Sequence, residues 1–165
     1  MKKSNQPIPP GFHTVTPSLT VRNAAEAIEF YKKALGAEER MCMTGPDGKV
    51  SHCELQIGSS IVFLNDESPA MGCKSPETLG GSASTFYLYV EDVDKAVQRA
   101  VDAGGKPTMP VMDMFWGDRF GNFVDPYGYT WGISTHTQDL TEAEIEEGAK
   151  AFYAQMAEQA QKKSA

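Results

Sequence analysis

The sequence predicts an α+β domain made of two tandem βαβββ units and a C-terminal helix. Three observations carry this. Residues 19–36, LTVRNAAEAIEFYKKALG, align with residues 88–105, LYVEDVDKAVQRAVDAGG, and self-similarity at such a period marks a duplicated supersecondary unit. Each copy passes from alternating apolar residues to an Asn or Asp and then to apolar residues at helical spacing. Each is followed by paired apolar runs with turn residues between them: Asp47-Gly48 and Ile57-Gly58-Ser59 in the first, Asp125-Pro126-Tyr127-Gly128 in the second.

The elements follow in order. The first strand is expected over 14–21, with Val15, Leu19 and Val21 inward. Asn23 caps a helix whose apolar stripe is Ala24, Ala27, Ile28, Tyr31 and Leu35, and Gly36 stops it. The second copy repeats this with a strand over 84–90, Asp92 as cap, the stripe Val93, Ala96, Val97, Ala100 and Val101, and Gly105 as stop. The units span 12–66 and 82–135 of a single domain over 12–136, and a Gly, Pro and Ser-rich linker covers 67–81. A flexible polar lead is expected over 1–11, without the hydrophobic segment of a secretory signal. Residues 137–165 form a helical extension. In it Thr141 and Glu144 make a capping box, and Ile145, Ala149, Phe152 and Met156 form an apolar stripe that packs on the body or on a second subunit.

The totals limit the functions. With 165 residues and 41% hydrophobic content, the chain can build one packed core. A net charge of −7 argues against nucleic acid or an anionic membrane as partner, and no apolar run is long enough to span a bilayer. Three cysteines without CxxC spacing argue against a disulfide framework or a zinc site and fit a cytoplasmic protein.

Residues 114–131, MFWGDRFGNFVDPYGYTW, are dense in aromatics. With TPSLTVRNAAEAIEFYKKALGAEE in the first copy, this motif resembles the PhnB-like branch of the vicinal oxygen chelate (glyoxalase, bleomycin resistance, dioxygenase) superfamily. The resemblance covers about residues 12–136. It implies a curved mixed sheet with helices on the convex side and a ligand cleft on the concave side, and a homodimer. It also implies a divalent metal held by one residue of the first and last strand of each unit. Those positions here are Thr16, Val62, Thr85 and Gly132, with Ile61, Phe63, Trp131 and Ile133 as neighbours. None is His, Glu, Asp or Gln, so neither a metal at the usual place nor a cofactor is expected.

Strand alternation sorts the remaining side chains. Thr16, Thr85, Tyr87, Tyr89, Phe120 and Asn122 fall on the cleft side, with Val124, Thr130, Gly132 and Ser134. Phe123 and Trp131 fall in the core. Trp116 is placed at the cleft mouth. Arg119 either pairs with Asp118 at a strand start or contacts an anionic group of a ligand through its planar fork. The methionines 41, 43, 109, 112 and 114 suit an adaptable apolar lining or a core. The expected ligand is therefore a small hydrophobic or aromatic molecule. His52 and Glu54, two apart on one strand, form the remaining polar constellation. They are a solvated face, a general base with its orienting carboxylate, or part of a displaced metal site. Under the last two readings the chain is an enzyme of lyase, isomerase or dioxygenase type.

Overall fold

The computed structural model describes residues 4–163. Residues 1–3 of the expected lead and 164–165 of the expected extension lie outside them. The first unit contains β1 (Ser18–Val21), α1 (Ala24–Leu35), β2 (Glu38–Thr44), β3 (Val50–Ile57) and β4 (Ser60–Asp66). A 3-10 turn (Pro69–Met71) and a short helix α2 (Pro76–Leu79) occupy the linker. The second unit contains β5 (Thr85–Tyr89), α3 (Val93–Asp102), β6 (Lys106–Asp113), β7 (Asp118–Val124) and β8 (Thr130–His136), and α4 (Glu142–Lys163) follows. Pairing divides the strands into two four-stranded mixed sheets of the same order, β1-β4-β3-β2 and β5-β8-β7-β6, in each of which only the first pair is parallel.

The helices begin where the caps are. The Asn23 side chain accepts from the Glu26 N–H, and Asp92 accepts from Lys95 N–H at 3.0 Å. Gly36 ends α1 with a φ of 67°. The stop of α3 differs from the expectation. Ala103 closes the helix, Gly104 takes the positive φ of 115°, and Gly105 is required for a different reason. A Cβ on Gly105 would lie 2.7 Å from the Phe123 ring and 2.9 Å from the Ala100 carbonyl oxygen. The capping box at α4 is present: Thr141 N–H donates to the Glu144 carboxylate and Glu144 N–H to the Thr141 hydroxyl.

Two expectations about the first strand are corrected. It begins at Ser18, because Pro17 has no N–H to give a ladder and only its carbonyl is used, by Phe63 N–H at 2.8 Å. Thr16 therefore precedes the strand, and Val15 is 79% exposed, not part of the core.

Each sheet has one face covered by helices and one left open. Leu19, Val21, Cys53, Leu55 and Leu64 lie on the covered face of the first, Phe123, Trp131 and Ile133 on that of the second. A single hydrophobic cluster joins both units with the buried faces of α1 and α3. At the junction Tyr31 of α1 packs on Trp131, with ring centroids 5.6 Å apart. Its hydroxyl donates to Asp125 Oδ2 at 2.7 Å, and Trp131 Nε1–H donates to the same oxygen at 2.8 Å. Tyr127 and Tyr129 N–H groups hold Oδ1, both at 2.9 Å. The Tyr129 hydroxyl reaches β1, accepting from Thr20 N–H and donating to Thr20 C=O, both at 3.0 Å. One turn thus fixes the two units to each other by satisfying buried polar groups.

The chain is docked just after the expected lead. Phe12 packs on Phe63 at 5.8 Å, and the Arg40 guanidinium lies over the Phe12 ring. The first half of α4 is seated through Phe152 against Phe115, 5.5 Å apart, with Gly148 close enough to Phe115 that a Cβ there would sit 3.0 Å from it. Met156, at the far end of the expected stripe, is exposed.

Candidate ligand site on the open face of the second unit

The open face of the second sheet is built by register. Across the four strands β6-β7-β8-β5, one row reads Met112, Phe120, Ser134, Tyr89. The next reads Met109, Asn122, Gly132, Tyr87, and the row beyond ends in Val124, Thr130, Thr85. Alternate residues share a face, so these side chains project together. Tyr87 is stacked on Phe120, 5.3 Å apart and 10° from parallel. Trp116, on the turn before β7, meets Phe120 edge-on at 5.8 Å. Tyr87 is 44% exposed and Tyr89 67%. The result is a shelf of aromatic rings and methionine side chains with one surface open. Gly132 makes the stacking possible, because a Cβ there would meet the Phe120 ring at 2.9 Å and Asn122 Oδ1 at 3.1 Å.

The polar ends of these rings converge on Asp118, which is only 2% exposed. Its Oδ2 accepts from Tyr89 OH at 3.1 Å, Trp116 Nε1 at 3.2 Å, Ser134 Oγ at 3.1 Å and, at longer range, Tyr87 OH at 3.4 Å. Oδ1 is bound by His136 Nδ1 at 2.8 Å, and His136 Nε2 pairs with Asp139 at 3.0 Å. Burial pushes the Asp118 carboxyl up, but the donors from His136, Tyr89, Ser134 and Trp116 outweigh it and hold its pKa below the usual carboxylate value. Burial and the Asp118 charge push the Tyr89 phenol up, so it remains a donor. The shelf is therefore braced at its hydroxyl ends, which Asp118 holds, while the rings of Tyr87 and Tyr89 stay exposed.

The same network gives a pH prediction. Asp139 and then Asp118, accepting from its two ring nitrogens, raise the His136 pKa above its ordinary value. A group whose folded pKa is raised contributes stability that is fully present below its unfolded value of about 6.5. That contribution is lost as pH rises through the folded value. The Tm difference between wild type and His136→Gln should be largest near pH ~6 and shrink through the alkaline range. A difference that grows with pH would refute the assignment of His136 as the charged partner of Asp118.

Arg119 requires a correction. It does not pair with Asp118 and does not reach the open face. Neighbours along a strand point to opposite sides, and Arg119 projects toward α3, where its fork binds both oxygens of Asp94 at 2.7 and 2.8 Å. Its Nη1 also binds Asp113 at 3.1 Å. These ion pairs occupy the guanidinium and tie β7 to α3.

On the first unit, His52 and Glu54 do lie on the open side, with His52 Nε2 3.7 Å from Glu54 Oε1. Phe63 meets the His52 ring edge-on at 4.8 Å and stands opposite Glu54 in the ladder. Thr16 lies before β1, away from any strand row.

The positions where the resemblance implies a metal can now be assigned. Parallel pairing sets Leu19 beside Leu64 and Leu88 beside Ile133. The counterpart of Gly132 is therefore Phe63, and Val62 is turned to the core, 6% exposed. The same offset of 69 residues relates Leu19 to Leu88 and Leu64 to Ile133, so the last strands keep the spacing of the first. A phenyl ring, a glycine and two threonine hydroxyls offer no imidazole or carboxylate, so this donor set does not fit a divalent ion. Among the described residues no group of three or more His, Cys, Asp or Glu could hold one elsewhere.

Sequence reasoning places Ser134 on the cleft side without a role and misses Asp118 and His136. The signal was available: Asp118, Phe120 and Asn122 share parity on one strand, and Ser134 and His136 on the next. The adjacent Arg119 offered a simpler partner for the aspartate.

Comparison with known proteins agrees with this architecture. Residues 11–133 match the profile of the Glyoxalase/Bleomycin resistance protein/Dioxygenase superfamily. The chain is 42% identical over 135 residues to protein Mb0911c of Mycobacterium bovis, covering 80% of this chain and 89% of that one. The crystal structure of the Arabidopsis thaliana At5g48480 product is similar at 30% identity and a TM-score of 0.60, covering 74% of this chain and 98% of that one. The PhnB protein of Bacillus cereus has a like fold, with 20% identity, a TM-score of 0.57, and coverage of 74% and 99%.

Proposed function

The chain belongs to the glyoxalase/bleomycin resistance/dioxygenase superfamily, and from that premise we propose that it is a PhnB-like member that binds a small aromatic molecule on the shelf of its second unit, without a metal at the family's usual place. The carrying observation is the open aromatic shelf together with Asn122. Among the described residues, Asn122 Oδ1 is the one buried side-chain polar atom with no hydrogen-bond partner. It lies on the floor of the shelf, between Met109 and Gly132 in its row. A buried acceptor without a donor costs about 1–3 kcal/mol. A ligand that supplies the donor recovers that cost while burying apolar area against Tyr87, Phe120 and the methionines. The ligand class is thus a flat aromatic carrying an N–H, such as an aryl amide, an indole or an amino-substituted heterocycle.

A thermal-shift screen tests this with matched pairs of compounds, each N–H compound beside its N-methyl counterpart. The N–H compounds should raise Tm more in wild type, and the difference should vanish in Asn122→Leu. A screen in which no aromatic compound shifts Tm, or in which the pairs behave alike in wild type, would sink the proposal.

One observation favours a second reading, catalysis by the first unit: the His52–Glu54 pair on its open face. There His52 would take a proton from a bound substrate and Glu54 would stabilise the imidazolium. Exposed Met41, Met43 and Tyr87, and exposed Tyr153 and Met156 on α4, support a homodimer, which light scattering would test. Among the described residues no helix is long and apolar enough to cross a membrane. Free cysteines support a place in the cytoplasm.

A further inference from the structure

The first sheet carries a second chemical feature, on the side away from His52 and Glu54. Cys42 of β2 and Cys53 of β3 are direct partners in the antiparallel ladder. Directly opposed residues have Cα atoms about 4.5–5.5 Å apart and project to the same face. A disulfide spans Cα separations of about 4.4–6.8 Å, with Cβ atoms near 3.8 Å. The backbone is therefore already within range, and only a small approach of the two Cβ atoms is needed. Both residues are free thiols. Cys42 is half-buried, and Cys53 is fully buried in the core.

We propose that Cys42 and Cys53 are a peroxide-oxidisable dithiol that closes to a cross-strand disulfide, with Cys42 as the reacting thiol and Cys53 as the resolving one. The half-buried sulfur of Cys42 is the one a small peroxide reaches. It attacks the peroxide, an S–O bond forms as the O–O bond breaks, and water, or an alcohol from an organic peroxide, leaves. The Cys53 sulfur then attacks the Cys42 sulfur. The S–S bond forms, the S–O bond breaks, and the Cys53 proton departs with the hydroxide as water. Two electrons pass from the two sulfurs to the peroxide, and a thiol reductant reverses the change.

The surroundings fit this division of labour. Burial first, then the charge and hydrogen bond of Cys42, push the Cys53 thiol up to about 12, and Glu39 of β2 adds to the rise while Lys32 of α1 opposes it. Cys53 is thus inert to oxidant by itself and reacts only with the neighbour it already touches. The third thiol, Cys73, is exposed in the linker and has no such partner in a ladder.

The bond would act on the open face. β2 is the outer strand of its sheet and pairs only with β3. Irregularities in the ladder flank the pair on both sides, between Glu39 and Met41 and between Met43 and Thr44. Only the short stretch holding Cys42 is in register between them. On the reverse side of that stretch Met41 stands opposite Glu54 and Met43 opposite His52. Closing the disulfide pins this stretch and fixes the two methionines over the His52–Glu54 pair.

Full-length protein treated with hydrogen peroxide, then denatured and alkylated, tests the proposal by peptide mass spectrometry. The expected product is a peptide pair joined through Cys42 and Cys53, lighter by two hydrogens and cleaved by dithiothreitol. In Cys73→Ser the same link should form at an unchanged rate. In Cys53→Ser, Cys42 should accumulate as a sulfenic acid that dimedone captures. Native hydrogen exchange should slow at the amides of β2 on oxidation. The proposal is overturned if Cys73→Ser retains two alkylatable thiols after treatment, or if Cys42 proceeds to sulfinic acid with no link formed. Crosslinking of Cys42 to Cys73 in wild type would equally overturn it. Cys73→Ser alters an exposed linker residue, so the decisive measurement does not depend on whether the core variant Cys53→Ser folds.

Discussion

Asp125→Ala should lower unfolding stability by about 2–4 kcal/mol, the largest loss expected from one polar side chain here. Asp125 is 4% exposed and accepts four hydrogen bonds. Its removal strands Tyr31 OH and Trp131 Nε1–H inside the core, and releases the two backbone N–H groups that shape the turn before β8. Burial alone holds the carboxyl above its ordinary pKa, even though Trp131, Tyr31 and the Tyr129 and Tyr127 amides pull it down. Part of the gain from the donors therefore offsets desolvation, and the expected loss stays below the sum of four charged hydrogen bonds. Tyr31→Phe isolates one of the four and should cost about 1–2 kcal/mol. Urea unfolding of both variants measures this. A loss under about 1 kcal/mol for Asp125→Ala would mean that the junction between the units is held by apolar packing alone.

The second prediction separates binding from catalysis. Tyr87→Ala and Phe120→Ala each remove one member of the stacked pair that forms the shelf. Each should weaken an aromatic ligand by about 1–3 kcal/mol, roughly 5- to 150-fold in Kd. Phe120 is mostly buried, so its removal also loosens the shelf, whereas Tyr87 is nearly half exposed and its loss reports on the ligand more directly. His52→Ala should leave that affinity unchanged, since it lies on the other sheet. If the chain is instead a base catalyst through His52, the pattern inverts. Turnover should fall roughly 10²–10⁴-fold in His52→Ala with affinity nearly intact, and Glu54→Gln should lose less because it retains the shape. Calorimetric titration of the best compound from the thermal-shift screen, together with a turnover assay on the same compound, distinguishes the two. Affinity indifferent to Tyr87→Ala and Phe120→Ala would remove the second unit from consideration as the site.

Much of the architecture is local and was legible in the residues. The duplicated strand and helix, the caps Asn23 and Asp92, the box at Thr141 and the alternation along β3, β5 and β8 all follow from short-range rules: which side chains can accept from a helix end, and which face every second residue takes. Those rules sorted Tyr87, Tyr89, Phe120 and Asn122 onto one side together. They did not establish where a strand starts or how two strands are phased. Pro17 delayed β1 and left Thr16 outside the sheet. The parallel pairing of first and last strands made Phe63, not Val62, the counterpart of Gly132. Chain position offers Arg119 either its neighbour Asp118 or an anionic ligand group, but its partners are Asp94 and Asp113, the first of them 25 residues away. The convergence of Tyr87, Tyr89, Trp116, Ser134 and His136 on Asp118 was decided by the tertiary structure alone. Each contact in it crosses from one strand or turn to another, and its strength depends on burying a carboxylate where water cannot compete for the donors. Periodicity along the chain reports which side of a strand a residue takes. Ladder register determines which residues from other strands it meets there.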